Sequence, residues 1–338
     1  MPMRTLRPGQ RTVVMIGGPE LAEPEIVFET DEILLEAPNW TAGGRLLLNG
    51  EGRLFSLDLP PVADCGEGAA PTAPAPAAEA AAGSPRGAEV RTGPRLREIP
   101  FDGLPPINND HVLHPDGAHI YMSAADGQIH RGRLDGGPVE AVTTGEGGHF
   151  LHGISPDGAL LAYVDVDTHW QGRLVVQDLA TGERAHVPTG TGHVDGPEWT
   201  PDGRWLLCSS EAFTSAPGHA QITRVPAPGR IGDGAGARHA GAGMREPAAD
   251  GPEHVLISGT VDWFPHPSPD GRWASYLTYP PGTLGHPEDR EVVVKLVELP
   301  DWSRPVRAYA IPGGQGTINV NSWAPASDRF AFVSYPIG

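Results

Sequence analysis

The sequence predicts an all-β protein: one six-bladed β-propeller that spans residues 1–338. Three observations predict this fold. A short Pro-Asp-Gly turn recurs along the chain, strand-like segments flank each copy, and two unpaired strand-like segments precede the first copy. The composition agrees, because 45 glycines and 37 prolines leave no long run of good helix formers. We therefore expect many short strands that are joined by tight turns.

The recurring turn has four clear copies and two degenerate ones. Proline presets φ at the second position of such a turn, aspartate bonds back to the backbone, and glycine takes the last position. The clear copies begin at His114, Ser155, Thr200 and Ser268, and the degenerate copies are Thr41–Gly44 and Ala324–Ser327. Six copies of one turn predict six blades.

Each turn should join the first and second strands of a blade. Neighbouring copies lie 41 and 45 residues apart, which is room for four short antiparallel strands. The predicted second strands are Arg45–Leu48, His119–Met122, Leu160–Val164, Arg204–Cys208, Arg272–Leu277 and Phe330–Val333. The predicted third strands include Arg53–Leu57, Arg173–Gln177, Ala220–Val225 and Glu291–Val297, and the predicted fourth strands include Arg184–Val187 and Arg307–Ile311.

The two ends of the chain are expected to share one blade. The last turn is followed by a single strand before Gly338, which leaves the sixth blade half built. Two spare strands, Arg11–Ile16 and Glu25–Thr30, precede the first turn. Together they supply the missing half, so the N-terminal strands should close the ring.

Two stretches interrupt the blade spacing. Residues 61–94 are rich in Ala, Pro and Gly, and residues 226–252 are similar. Both have the composition of low-complexity surface insertions, placed between the third and fourth strands of blades one and four.

Charge and composition exclude several classes of function. The net charge of -18 argues against a nucleic-acid partner, which requires clustered Lys and Arg. No apolar run approaches the length needed to span a bilayer, and no apolar signal core follows the N-terminal arginines, so a cytoplasmic location without membrane insertion is expected. Cys65 and Cys208 are the only cysteines and form neither a disulfide framework nor a zinc motif.

Several motifs resemble those of the bacterial TolB-like propeller family. Besides the Ser-Pro-Asp-Gly turn, they are Asn109–His111, Asp262–Pro267 and Gly314–Asn319. The resemblance implies a six-bladed propeller and leaves the activity open. The chain shows neither the export signal nor the separate N-terminal domain of TolB itself, so a Tol-Pal envelope role is not expected. A looser resemblance to oligogalacturonate lyases implies that channel histidines hold a metal ion.

Polar residues precede or begin the predicted innermost strand of every blade. In a propeller these positions ring one mouth of the central channel. In blade order they are Glu36 and Asn39; Asn109, Asp110 and His111; His149 and His152; His193, Asp195 and Glu198; Asp262, Trp263 and His266; and Asn319 and Asn321. This ring is more polar than strand closure requires, so it is the predicted functional site.

Three interpretations of this ring stay open. The side chains could bond one another and trapped water, since polar groups in a channel need partners. Alternatively, His111, His152 and His266 could bind a divalent metal ion together with a carboxylate, for which Mn, Zn, Fe and Ni are suitable. The third interpretation is a metal-free pocket, where Phe150 and Trp263 either stack on a flat ligand or pack between blades.

Two classes of function follow from these interpretations. The first is a metal-assisted lyase, hydrolase or isomerase acting on a small polar, carbohydrate-like substrate, with Glu36, Asp195 or Glu198 moving the proton. In that case Asn39, Asn109, Asp110, His149, Phe150, Asp262, Trp263, Asn319 and Asn321 contact the ligand. The second is a non-catalytic scaffold that docks a protein partner. A scaffold should present an apolar rim patch, whereas the mouth is polar in sequence.

Overall fold

The computed structural model describes residues 4–59, 94–229 and 251–338. Within these ranges every regular element is a β-strand, and the strands form the blades of a six-bladed propeller, as predicted. The predicted insertions fall largely outside the described residues, as does Cys65. Among the described residues there is no helix long and apolar enough to cross a membrane.

Five blades are regular four-stranded antiparallel sheets, whose strands follow one another from the channel outwards. Blade one contains β3 (Glu36–Trp40), β4 (Arg45–Gly50), β5 (Arg53–Asp58) and β6 (Arg95–Ile99). Blade two contains β8 (Ile107–Leu113), β9 (His119–Ala124), β10 (Ile129–Arg133) and β12 (Glu140–Ala141), while β7 (Phe101–Asp102) and β11 (Gly137–Pro138) pair beside it.

The remaining regular blades have the same order. Blade three contains β13 (Gly148–Ile154), β14 (Leu160–Val166), β15 (Gly172–Asp178) and β16 (Arg184–His186). Blade four contains β17 (Val194–Trp199), β18 (Trp205–Ser210), β19 (Gln221–Pro226) and β20 (Glu253–His254). Blade five contains β21 (Val261–Pro267), β22 (Trp273–Tyr279), β23 (Arg290–Glu298) and β24 (Pro305–Gly313).

The sixth blade joins the two ends of the chain. β1 (Thr12–Gly17) lies between β2 (Glu25–Thr30) and β25 (Phe330–Ser334), and Val14 is paired with Val333. The predicted ring closure is therefore confirmed. The innermost segment of this blade differs from the others, because Trp323 makes only an isolated bridge to Phe330. The residues before Trp323 follow an irregular path towards the mouth.

The Pro-Asp-Gly turns close one face of the propeller, which we call the turn face. In each of three copies the hydroxyl of the first residue donates to the aspartate, at 2.5–2.6 Å: Ser155 to Asp157, Thr200 to Asp202 and Ser268 to Asp270. The final glycines have φ between 68° and 75° in the four clear copies, a range that glycine adopts without strain. Each turn thus satisfies its own polar groups.

The innermost strand of each of the five regular blades is irregular. The register to the second strand shifts between Glu36 and Asn39 in β3, and between Asp195 and Glu198 in β17. Corresponding shifts occur in β8, β13 and β21. A bulge bends a strand and redirects its side chains. These bulges point the predicted polar residues into the channel.

The core lies between neighbouring blades. Between blades five and six, Phe330 packs on Trp323 and Phe332 packs on Tyr309, with ring centroids 5.0 and 5.6 Å apart. Cys208 is completely buried within blade four, and burial raises the pKa of its thiol to about 11. It is therefore an unreactive core residue.

Candidate ligand site at the channel mouth

A cleft of about 820 Å³ opens at the mouth opposite the turn face. Loops between the second and third strands fold over it, because they leave the blade on the face where the innermost strand begins. Two of them contribute Trp170 and His286. Phe150 also lines the cleft, and Trp170 is 70% exposed at its rim.

A buried ion-pair cluster lies behind the cleft wall. His152 Nε2 is 2.9 Å from Asp195 Oδ1 and 3.9 Å from Asp110 Oδ1. Burial alone lowers the pKa of His152, but these two carboxylates outweigh it and raise that pKa to about 9. Burial likewise favours a neutral Asp195, but His152 and His286 hold its pKa well below the usual range. Asp110 has a raised pKa, mainly because it is buried.

His286 links this cluster to the cleft. Its Nδ1 bonds Gln315 Oε1, and its Nε2 is 3.1 Å from Asp195 Oδ2. Gln315 in turn donates through Nε2 to Asn109 Oδ1 at 3.1 Å, which fixes the orientation of the Gln315 amide. Since Oε1 can only accept, Nδ1 of His286 carries the hydrogen. The atom that faces Asp195 is therefore Nε2.

Metal-ligating atoms converge at one place in the described part of the chain. One atom each from His193, Asp195 and His286 lies within 4.8 Å of the others. His193 is exposed, whereas the other two are partly buried. Two imidazoles and one carboxylate are suitable donors for a divalent transition-metal ion such as Zn, Fe or Ni, and Mn also accepts the carboxylate.

Glu36 forms a second polar cluster, which Asn109 and Gln315 link to His286. Arg4 donates to its Oε1 at 2.5 Å, Asn49 to its Oε2 at 3.2 Å and Asn109 to its Oε1 at 3.4 Å. Burial raises the pKa of Glu36, and Arg4 opposes this shift. Asn319 also donates to Asn109, at 3.4 Å.

The remaining predicted residues lie deeper in the channel. His266 Nδ1 is 2.5 Å from Glu198 Oε2, and its Nε2 is 2.5 Å from the carbonyl oxygen of Ile318. Asn321 donates to Glu198 and, at 2.9 Å, to the carbonyl of Pro267. Both ring nitrogens of His266 thus face oxygen acceptors, so neither offers a lone pair to a metal ion.

His111 occupies this deeper layer as well. Its Nδ1 is 2.7 Å from Asn39 Oδ1, and burial lowers its pKa to about 3. Asn39 donates to the carbonyl of Asn321 at 2.8 Å. Of the three histidines predicted to share a metal, His111 and His266 are thus tied into one hydrogen-bond network of the channel, whereas His152 pairs with Asp195. The metal-ligating atoms that come within 4.8 Å of one another are instead those of His193, Asp195 and His286.

Three residues that were predicted to contact a ligand instead make contacts within the protein. His149 Nδ1 is 2.7 Å from the carbonyl of Gly127. Asp262 accepts hydrogen bonds from Ser258 at 2.5 Å and Thr278 at 2.8 Å. Trp263 is fully buried, with its ring 4.6 Å from that of His286, so it packs beneath the cleft floor.

Sequence reasoning missed Arg4, Trp170, His286 and Gln315, which lie in segments outside the predicted strands. One signal was present for the bulges. Pro38, Pro197 and Pro265 each stand one residue before a channel residue, and proline within a strand marks a bulge or an edge.

Comparison with known proteins gives relatives over nearly the whole chain. The sequence is 31% identical over 315 residues to "Uncharacterized protein Atu1656" of Agrobacterium fabrum, a match that covers 92% of this chain and 87% of the relative. A solved structure from Agrobacterium tumefaciens described as a "putative TolB" is 28% identical, with a TM-score of 0.74 and coverage of 97% of this chain and 99% of that one.

More distant propellers are also similar in structure. The oligogalacturonate lyase of Vibrio parahaemolyticus is 12% identical, with a TM-score of 0.47 and coverage of 89% of this chain and 73% of that chain. A similarity at that level supports no inference about function. No family model matches the sequence.

Proposed function

Because this chain belongs to the TolB-like family of six-bladed β-propellers, we propose that it binds a small polar ligand in the cleft at its channel mouth. The observation that carries the proposal is the coincidence of the cleft with linked ionisable groups. Arg4, Glu36 and His286 all line the cleft of about 820 Å³, and each is held by polar partners. An apolar cavity with a few fixed polar groups is typical of small-molecule sites.

We further propose that His193, Asp195 and His286 hold a divalent metal ion, for which Mn, Zn, Fe and Ni are the candidates. Gln315 keeps the hydrogen of His286 on Nδ1, so Nε2 is the nitrogen that faces Asp195. Outer-shell partners of this kind orient metal-binding histidines. His152 keeps Asp195 ionised, as a metal-binding carboxylate must be.

The reaction class that fits this site is a metal-assisted lyase, hydrolase or isomerase. A bound ion would polarise a carbonyl or carboxylate of the ligand. Among the three carboxylates predicted to be catalytic, Glu36 alone lines the cleft, since Asp195 and Glu198 are held behind it by histidines. Glu36 is therefore the predicted catalytic carboxylate that a ligand in the cleft would reach, and His286 lines the same cleft.

Metal titration tests the site directly. Adding Mn, Zn, Fe or Ni to purified, untagged protein should raise its melting temperature, because an ion that binds only the folded state stabilises it. His286→Ala and Asp195→Asn should abolish the shift. His186→Ala is the matched control, because His186 is exposed on the outer strand of blade three and should leave the shift intact. An equal shift in all variants would refute the metal assignment.

A protein-interaction scaffold is the second candidate function. Trp170 and Leu284 favour it, since both are 70% exposed at the rim of the cleft. A rim of exposed apolar side chains is what a docking surface requires. This function predicts that Trp170→Ala and Leu284→Ala weaken binding of a purified partner while His286→Ala does not. Ligand binding in the cleft predicts a loss with His286→Ala.

A further inference from the structure

The side chain of Arg4 fills an acidic cradle at the edge of the cleft. Its Nη1 is 2.5 Å from Glu36 Oε1 and donates to the carbonyl of Gln315 at 2.6 Å, and its Nε is 2.7 Å from Glu288 Oε2. Asp289 Oδ1 lies 3.7 Å from Nη2. The guanidinium is therefore surrounded by acceptors on its whole edge, a geometry that suits its planar fork of donors.

The cradle also has an aromatic wall. The Tyr335 ring lies under the guanidinium, with 5.0 Å between Arg4 Cζ and the ring centroid. Gly316 keeps this space open, because a Cβ there would lie 2.4 Å from Glu36 Oε1 and 2.6 Å from the Tyr335 hydroxyl. A side chain at that position would displace both walls.

The cradle contains more acceptors than Arg4 satisfies. Asn49 lines the cleft beside Glu36 and is only 2% exposed. Its Oδ1 has no hydrogen-bond partner among the residues that the structure describes. A buried acceptor without a donor is costly, and native structures rarely keep one without a reason. A small ligand that enters the cradle with N–H donors of its own would supply the missing donor.

Arg4 does not belong to the blades that build the cradle. It lies in the segment before β1, which begins at Thr12, whereas Glu36 and Asn49 lie on strands of blade one. We infer that the cradle is the recognition site for a guanidinium-bearing small molecule and that Arg4 is its intramolecular occupant. The inference rests on the proposed function, because the ligand enters through the same cleft, but it does not depend on the metal ion.

Calorimetric titration of Arg4→Ala with methylguanidine or agmatine tests this inference. Binding should be saturable and at least about 10-fold tighter than to the wild type, where tethered Arg4 competes at high effective concentration. N-methylurea, which is neutral and of similar shape, should not bind. Arg4→Ala with Glu36→Gln should lose the site. Arg11→Ala is the matched control, because it breaks only an exposed pair with Glu29 and should create no site.

A purely structural role for Arg4 gives a different result. If Arg4 only neutralises Glu36, folded Arg4→Ala shows no saturable binding of either compound, and the inference is overturned. Circular dichroism establishes that the variant is folded, and Arg4→Gln, a neutral and shorter polar side chain, replaces it if it is not. Metal titration of the same variants separates the two proposals. If metal still raises the melting temperature but methylguanidine does not bind, the cradle inference is refuted and the proposed metal site is not.

Discussion

The two faces of this propeller use opposite kinds of chemistry. On the turn face, Ser268 donates to Asp270, and Asp270 accepts from the backbone of Arg272, all within five residues of sequence. At the mouth, Arg4 contacts Gln315 and His286 contacts Asp195, so partners lie 311 and 91 residues apart. Each turn satisfies its polar groups with neighbours in sequence, so the same turn can recur in several blades. The site at the mouth depends on contacts between distant segments, so it occurs once.

Backbone strain is concentrated at the mouth, although one residue of the degenerate last turn, Ser327, also has a φ of 60°. At the clear turns every residue with positive φ is a glycine, such as Gly117 and Gly158. Around the mouth and in the innermost strands, residues with side chains take such angles: Ala37, Glu51, Trp170, Phe264 and Asp289, with φ between 49° and 60°. Strained residues persist where surrounding structure holds them, and they cluster at functional sites. The mouth therefore combines long-range contacts with strain.

Both faces depend on one closed ring, and opening it should have the largest effect. Deleting the residues up to Glu29 removes β1 and exposes β25 as an unpaired edge. It also removes Val14 and Ile16 from the core, at about 2 kcal/mol each by burial. Together with the lost ladder this approaches the whole stability of a domain, about 5–15 kcal/mol. Thermal unfolding followed by circular dichroism should show no cooperative transition.

A deletion of similar size elsewhere controls for chain shortening. Asp58 and Arg95 are partners in neighbouring strands of blade one, so a short Gly/Ser turn can replace residues 60–93. Loop-closure cost changes by only about 0.6 kcal/mol per doubling of length. We expect a melting temperature near that of the wild type. A large loss here, or cooperative unfolding of the N-terminal deletion, would contradict this account.

The deep channel layer should give the next largest effect. Glu198→Ala removes the partner of His266 and of Asn321, both of which are held inside the channel. Breaking a buried pair in this way costs about 3 kcal/mol. Glu298→Ala is the control, because its pair with Arg272 is exposed and contributes less than about 1 kcal/mol. Urea unfolding should show a larger loss of unfolding free energy for Glu198→Ala than for Glu298→Ala. Equal losses would contradict a stabilising role of the buried channel layer.

The sequence predicts the turn face and the ring almost completely, because their signals are local and repeated. The predicted strand Glu25–Thr30 has the observed bounds, and the spare strand before it begins one residue earlier than β1. Polar residues at the mouth were also predicted, since position in the repeat defines them. Asp195 and His152, named from separate blades, are in contact at 2.9 Å.

Partner choice within the mouth could not be predicted, because it depends on bulges and on loops without a repeat. His266 was expected to bind a metal, but the bulge in β21 accompanies its pairing with Glu198. His286 lies in a loop between strands, where no periodicity marks it. Arg4 precedes every strand, and only the three-dimensional structure brings it beside Glu36.

The turn face should show a smaller, pH-dependent effect. Slight burial favours a higher pKa for Asp270, but the Ser268 hydroxyl and the Arg272 N–H hold that pKa below its ordinary value. A carboxyl whose pKa is lower in the folded state stabilises the fold above its unfolded pKa and loses this effect as the pH falls. Asp270→Ala should cost about 1 kcal/mol at pH 7. In urea titrations, the difference in unfolding free energy between the wild type and the variant should decrease towards pH 3. A difference that does not change with pH would show that the ionised Asp270 carboxylate is not its cause.

The smallest effect should have opposite signs on the two faces. Trp170 is 70% exposed and has φ of 60°, so replacing it with glycine relieves strain and removes little packing. Trp170→Gly should raise stability by less than about 1 kcal/mol, whereas Trp170→Ala keeps the strained angle and should not. Gly117 has φ of 68° and open space around it, so Gly117→Ala should lower stability by about 1 kcal/mol.

Melting temperatures of the three variants measure these changes in stability directly. A stabilising Trp170→Gly shows that the mouth keeps a strained tryptophan for a reason other than stability, as a ligand-facing residue would require, and a destabilising one shows that Trp170 belongs to the packing.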